Sequence, residues 1–207
     1  LVGPLPTPAL TILSKSLRAD FSVMITASHN PFQDNGLKFF SGTGYKITAE
    51  EERKIEDYFF NYDFDNFKIK PSNYGKAVRL KDAIGRYSEA LKQNTFKNLD
   101  YTKLKVVLDC ANGAAYKVAP EVLFEIGVEL DTLGDRPNGV NINEKCGSLF
   151  PERASKLVKK RKSDVGICLD GDGDRLIIID EKGEPIFGEE LIYILAKYYL
   201  KNKNIKK

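Results

Sequence analysis

The stretch "KLKVVLDCANGAAYKVAPEVLFEIGVEL", Lys103 to Leu130, decides the fold. An apolar run, "LKVVLD", is followed by the small-residue loop "CANGAA", a helical pattern, "YKVAPEVLFEIG", and a second short strand, "VEL". A strand, a helix and another strand in this order predict a right-handed βαβ crossover and a mainly parallel sheet. The alternation continues downstream. After the loop "GDRPNGVNINEKCGSLF" comes a helix opened by Pro151, "PERASKLVKKRK", and another strand, "DVGICLD". "RLIIID", the turn "EKGEP" and the helix "GEELIYILAKYYL" follow. That last helix reads as the beginning of a further unit, because its apolar face would otherwise have little to pack on.

Upstream, "FSVMIT" (Phe21 to Thr26) and "GLKFF" (Gly36 to Phe40) read as strands, the second followed by the turn "SGTGY". In "TAEEERKIEDYFF", Thr48 as N-cap and Glu51 three residues on form a capping box, with acidic residues where the helix dipole favours them. Residues 61 to 79 are polar and irregular. Arg79 to Phe96 then places Leu80, Ile84, Tyr87 and Leu91 at helical spacing.

Among 207 residues, 42% are hydrophobic and 29% charged, which fits a globular protein and excludes disordered and fibrous classes. With 32 basic and 29 acidic residues, the net charge of +3 is too small to imply nucleic acid. The basic runs Lys156 to Lys162 and Lys201 to Lys207 read as a solvated helix face and a frayed tail. Cys110, Cys146 and Cys168 are odd in number and widely spaced, which suggests neither a disulfide framework nor a zinc knuckle and favours a reducing, cytoplasmic setting. No apolar stretch approaches the ~20 residues that span a bilayer, and the N-terminus lacks a signal peptide's basic region. With no initiator Met, the chain is expected to be a piece of something longer.

Chemistry concentrates in two places. In "CLDGDGDRL", Asp170, Asp172 and Asp174 stand at i, i+2 and i+4, so in an extended loop their carboxylates converge, an arrangement that calls for a cation. Hard oxygens suit Mg²⁺ or Ca²⁺, and the interleaved glycines permit a tight turn. An EF-hand is excluded, since it requires Gly where Arg175 stands. The second place is Ser28-His29-Asn30-Pro31, which also follows a strand. By local chemistry it is either a capped turn or a functional loop. The only histidine cannot make a zinc site without further ligands, and adjacent residues on an extended turn do not form a Ser-His-Asp triad. A serine beside a divalent cation, however, can accept and donate a phosphoryl group. Lys38, on the strand after the turn, is either a surface lysine or a desolvated proton carrier with a lowered pKa. The amides of "DCANGAAY" can bind phosphate. Arg175 can grip phosphate oxygens or pair with the aspartates.

Together, "TASHNP" with "DNGLKFF", "LDCANGAA", "PNGVNINEKCGS" and "DGDGDR" resemble the α-D-phosphohexomutase superfamily, in family order and across nearly the whole chain. The resemblance implies an α/β fold of consecutive three-layer α/β/α domains with mixed, mainly parallel sheets. It divides the chain into a phosphoserine-loop domain (1–84), a second α/β domain ending in the metal loop (85–180) and the beginning of a third (181–207). It implies that Ser28 is the phosphorylated residue and that Ser28, Asp170, Asp172 and Asp174 hold one Mg²⁺. It makes Lys38 the general acid or base, with His29, Asn30 and Arg175 at phosphate groups. A sugar 1,6-bisphosphate would be both intermediate and activator. The second-domain segments look like those of members that interconvert glucosamine 6-phosphate and glucosamine 1-phosphate, on the route to UDP-N-acetylglucosamine and the cell wall. The implied partner is a phosphorylated hexosamine, with neither nucleic acid nor membrane, and a homodimer in the complete protein.

The family also carries an earlier Gly-rich segment with an active-site arginine, a third-domain sugar-binding loop and a fourth-domain phosphate loop, none of which is in this sequence. Little or no mutase turnover by this polypeptide alone is therefore expected. The runner-up substrates are those of phosphomannomutase and phosphoglucomutase. A haloacid-dehalogenase-like phosphatase, with Asp170 as nucleophile, fits less well, because its motif opens a domain and leaves Ser28 unexplained. A non-enzymatic metal-binding module is the remaining alternative.

Overall fold

The structure, a computed structural model, describes residues 1–63, 70–93 and 99–201. In chain order the elements are α1 (Pro8–Leu17), β1 (Phe21–Ile25), β2 (Leu37–Ser41), α2 (Ala49–Asn61), α3 (Ala83–Gln93), β3 (Lys105–Asp109), α4 (Val118–Glu125), β4 (Glu129–Leu133), α5 (Glu152–Arg161), β5 (Val165–Leu169), β6 (Leu176–Ile179), β7 (Pro185–Ile186) and α6 (Gly188–Lys201). The ends of two expected features, the helix to Phe96 and the basic tail to Lys207, lie outside the described residues.

Two sheets result. β1 and β2 pair antiparallel with Met24 opposite Lys38, and five strands form a second sheet in the order β4-β3-β5-β6-β7. The sheet is mixed, as expected, but half of its ladders are antiparallel: β3 runs parallel to β4 and β5, while β6 is antiparallel to β5 and to β7. The reason is loop length. A parallel connection needs a dozen or more residues, and Asp170 to Arg175 between β5 and β6 is too short to cross over. The sheet also runs on to Ile186, past the boundary expected at residue 180.

Two apolar clusters hold these layers. Val107, Cys168 and Ile179 on one sheet face meet Ala154 and Val158 of α5, while Lys159 to Lys162 stay exposed. The other cluster joins Leu5, Ala9 and Leu13 to Ala83 and Tyr87 of α3 and Val118 and Val122 of α4. Here the sequence reading misses an element. Pro4, Pro6 and Pro8 look like breakers, yet Pro8 sits in the first helical turn, where a missing N–H costs nothing, and α1 follows. α1 and α3 pack together, which ties the serine-loop region to the second sheet. α2 begins as expected: Thr48 accepts from the Glu51 amide, and Glu51 returns a bond to the Thr48 amide. α6 buries none of its residues and leaves Ile192, Tyr193, Ile194 and Leu195 more than half exposed. No described helix is long and apolar enough to cross a membrane.

Candidate active site

The loop after β1 is closed by a bond from the Thr26 amide to the Gly36 carbonyl, so it leaves and re-enters the hairpin at one point. Within it Ser28 has φ +55°, a left-handed conformation that costs a non-glycine residue about 1–2 kcal/mol. Its amide donates to Thr26 Oγ1 at 2.9 Å, and the Asn30 amide donates to the Ala27 carbonyl. Strain of this kind persists where the surroundings dictate it, and here it turns the hydroxyl toward the second sheet. Ser28 Oγ donates to Asp170 Oδ2 at 2.9 Å, across 142 residues of sequence.

Asp170 lies at the carboxyl end of β5, beside the carboxyl end of the parallel β3, where open α/β sheets place ligands. Its Oδ1 accepts from the amides of Asp174 and Arg175, so the carboxylate shapes the loop that follows it. Asp172 is 2% exposed; its Oδ2 accepts from Lys38 Nζ at 2.7 Å and from Thr7 Oγ1 at 2.6 Å. Lys38 also reaches Asp174 Oδ2 at 2.9 Å. One oxygen from each of the three carboxylates lies within 4.8 Å of the others. Asp172 Oδ1 is buried with no hydrogen-bond partner among the described residues.

The electrostatics follow from these contacts. Burial, and then the like charges of Asp172 and Asp174, hold the Asp170 carboxyl above its usual range against the bonds from Arg175 and Ser28. Burial pushes Asp172 the same way, but the bonds from Lys38 and Thr7 outweigh it and leave its carboxyl below the usual range. For Lys38, burial favours the neutral amine, yet the two aspartates outweigh it and raise its pKa. Of the two sequence readings of Lys38, the lowered pKa that desolvation alone would give is reversed, because desolvation comes with two carboxylates.

The donor set fits a hard divalent cation: three convergent carboxylates, two of them buried, with one buried oxygen otherwise unpartnered. His29 and Arg175 also meet. Arg175 Nη1 lies 2.8 Å from His29 Nδ1, and since a guanidinium only donates, that ring nitrogen accepts. Arg175 approaches Asp174 only loosely, at 3.9 Å. Asn30 behaves differently from the rest: its side-chain amide donates to Asp34 and closes the serine turn. An open cleft of about 800 Å³ has both Ser28 and Asp172 on its wall.

In the "CANGAA" loop the amides of Ala111 to Ala114 are already engaged and are not offered to a phosphate. Ala111 donates to Asp109 Oδ1, Asn112 to the Gly134 carbonyl, Gly113 to the Cys110 carbonyl and Ala114 to the Gly171 carbonyl at 2.7 Å. Its work is structural: a Cβ on Gly113 would collide with the Gly171 backbone, so glycine lets the two loops stack. Thr7 and Asn143 join the site although no sequence motif marks either as a site residue. Thr7 lies in a proline-rich segment with no motif, and the Asn143 side chain reaches the Ser28 and Asn30 carbonyls from a loop 115 and 113 residues away. Cys110, Cys146 and Cys168 are free and buried.

Comparison with known proteins identifies the family of the fold. The model of phosphoglucomutase/phosphomannomutase α/β/α domain I matches residues 1–66, and that of domain II matches residues 85–183. The chain is 50% identical over 205 residues to a phosphoglucosamine mutase of Geotalea uraniireducens, covering 99% of this chain and 45% of that protein. It is 51% identical over 207 residues to the phosphoglucosamine mutase of Geobacter metallireducens, covering 100% of this chain and 46% of that protein. A solved phosphoglucomutase/phosphomannomutase family protein from Burkholderia thailandensis superposes with a TM-score of 0.78 at 24% identity, over 96% of this chain and 43% of that one. The chain thus spans under half the length of the curated relatives it matches. With domains I and II matched in order along most of its length, the chain belongs to the phosphoglucomutase/phosphomannomutase family.

Proposed function

We propose that this chain carries the phosphoryl-transfer half of a mutase that interconverts glucosamine 6-phosphate and glucosamine 1-phosphate. One observation carries the reading: Ser28 Oγ lies 2.9 Å from Asp170, within a cluster where Asp172 and Asp174 share the Lys38 ammonium. A strained serine aimed at converging carboxylates serves no packing purpose and suits an oxygen that exchanges a phosphoryl group.

Ser28 in its phosphorylated form gives the group to a sugar hydroxyl. The bond from phosphorus to Oγ breaks, a bond to the sugar oxygen forms, and the proton lost by the hydroxyl is matched by one gained at Oγ. The product is a sugar 1,6-bisphosphate, which returns its other phosphate to Ser28 after reorienting. Lys38, held as the ammonium by Asp172 and Asp174, supplies the proton that the departing Oγ gains and is recharged by the one the sugar hydroxyl loses, and the same exchange runs in reverse on the return. Arg175 and His29, in contact beside the serine, bind phosphate oxygens. Asn30 supports the same loop through Asp34. Asp170, Asp172 and Asp174, with the Ser28 phosphate, would hold Mg²⁺. When bound, the ion neutralises charge on the transferred oxygens.

The 50% identity to phosphoglucosamine mutases favours glucosamine phosphate over the mannose and glucose phosphates. We place residues 1–84 in the serine-loop domain and the metal loop at the end of a second domain that starts at residue 85, with α6 opening a third. Chemistry on sugar phosphates assigns the protein to the cytoplasm. A phosphatase with Asp170 as nucleophile is disfavoured, because that side chain is 1% exposed and both its oxygens are engaged.

The test is to treat the chain with glucose 1,6-bisphosphate and Mg²⁺, then locate phosphate by peptide fragmentation. Phosphate on Ser28, absent from Ser28→Ala, supports the reading. Hydroxylamine-labile phosphate on Asp170, or no incorporation, contradicts it. Full-rate mutase turnover by this chain alone would contradict its description as half of the machinery.

A further inference from the structure

We infer that Asn143 is a positioning residue for the serine loop: its side-chain amide locks the backbone conformation that aims the Ser28 hydroxyl at Asp170. The inference deepens the phosphoryl-transfer reading and, for its kinetic part, rests on it.

Asn143 is 8% exposed, and its Nδ2 lies 3.0 Å from the Ser28 carbonyl and 2.9 Å from the Asn30 carbonyl. Two carbonyl oxygens accept and never donate, so only the amide nitrogen, with two protons, satisfies both. Asn143 is itself fixed. Its backbone N–H donates to the Ala111 carbonyl at 2.9 Å, and Ala111 is pinned by its amide to buried Asp109. It sits at φ +58°, a conformation that asparagine tolerates better than most residues. A Cβ on Gly171 would lie 2.5 Å from the Ser28 carbonyl and 2.7 Å from Asn143 Nδ2, so the fit around this clamp is close on the metal-loop side as well.

The consequence lies at Ser28. Its left-handed backbone is held on one side by Thr26 Oγ1, within its own loop, and on the other by Asn143, from the loop between β4 and α5. Without the second hold, relaxation to an ordinary conformation takes the hydroxyl away from the carboxylates. Nothing in the clamp touches the acidic cluster directly, so losing it should separate serine alignment from metal binding.

Two variants test this: Asn143→Asp, which keeps the shape but turns an anion toward two carbonyls, and Asn143→Gly, which suits the positive φ and removes only the side chain. Backbone hydrogen exchange is followed at residues 27–34 and, as an internal reference, in β3 and β5. Phosphoryl loading of Ser28 is measured with saturating glucose 1,6-bisphosphate and Mg²⁺. The expected result is loop exchange at least about tenfold faster with β3 and β5 still protected, and loading slowed by about 10–100-fold. Mg²⁺ affinity of the unphosphorylated chain, where the aspartates alone would hold the ion, should stay within about twofold of wild type by calorimetry. Unchanged loop exchange in the Gly variant, or wild-type loading in either, overturns the inference. If Asn143→Asp loses protection throughout, the Gly variant decides. If wild type itself takes no phosphoryl group, the mutase reading falls, while the exchange comparison still decides the clamp.

Discussion

Replacing Lys38 by methionine should destabilise the chain without metal and make Mg²⁺ a stronger stabiliser. Methionine keeps much of the apolar stem and removes the ammonium. The bond lost at Asp172 is charge-assisted and its acceptor is 2% exposed, so it contributes about 1.5–3 kcal/mol. The bond to Asp174, whose side chain is 30% exposed, adds no more than about 1 kcal/mol. Lys38 is itself 27% exposed, which limits the desolvation it recovers, so a net loss of about 2–3 kcal/mol is expected. In a chain of this size that lowers the melting temperature by about 5–10 °C in EDTA. Added at 100 times its Kd, Mg²⁺ restores about 2.7 kcal/mol. The variant should gain more than wild type, because the ion meets two carboxylates with no competing ammonium. Calorimetric melts in EDTA and in millimolar Mg²⁺ measure both effects. Equal melting in EDTA, or an identical Mg²⁺ gain for both proteins, would refute the reasoning.

Asp170 carries the opposite sign. A carboxyl whose folded pKa is raised, first by burial and then by neighbouring charge, opposes folding when ionised, and the cost disappears as pH falls below its folded value. Asp170→Asn should therefore melt no lower than wild type in EDTA at neutral pH while its Mg²⁺ gain drops below about 1 kcal/mol; a large loss in EDTA would show that the carboxylate's bonds outweigh its charge. Leu13→Ala, at 1% exposure in the cluster joining α1, α3 and α4, should cost about 2–5 kcal/mol in urea unfolding, and a loss under about 1 kcal/mol would mean that α1 is not an anchor. Burial pushes Cys110 and Cys168 up to about 12 and Cys146 to about 11, so none should react with iodoacetamide in the native protein at pH 8, and all three should once it is unfolded. Rapid native labelling of any one would contradict its burial.

What the sequence made legible was local. The spacing of Asp170, Asp172 and Asp174 was enough to predict convergence, because side-chain direction two residues apart is set by the backbone, and the capping box at Thr48 and Glu51 worked for the same reason. Lys38 reads from sequence as either a surface lysine or a desolvated one with a lowered pKa, and neither reading contains the two aspartates that raise it, which lie 134 and 136 residues away. Thr7 and Asn143 escaped for that reason too. Each has a role only through a partner more than 100 residues distant; Thr7 sits in no motif, and Asn143 sits in "PNGVNINEKCGS", which does not by itself say which of its residues reaches the serine loop. The "CANGAA" loop shows the converse. A glycine between a strand and a helix looks like a phosphate cradle, but Gly113 serves close approach to Gly171. The antiparallel share of the mixed second sheet is larger than a mainly parallel reading expects, because apolar strands alternating with helices imply crossovers, whereas the short spans after β5 and β6 permit only reversal.

The central claim is that Ser28 and the acidic loop form one phosphoryl site around one cation. Phosphorus NMR on the Ser28-phosphorylated chain, titrated with Mn²⁺ in place of Mg²⁺, tests it most directly. The account predicts that one equivalent of the paramagnetic ion broadens the phosphoserine signal strongly, and that Asp172→Asn abolishes the effect in a chain that remains folded. A phosphoserine signal untouched by bound Mn²⁺, or broadened equally in Asp172→Asn, would mean that the serine and the aspartates do not share an ion.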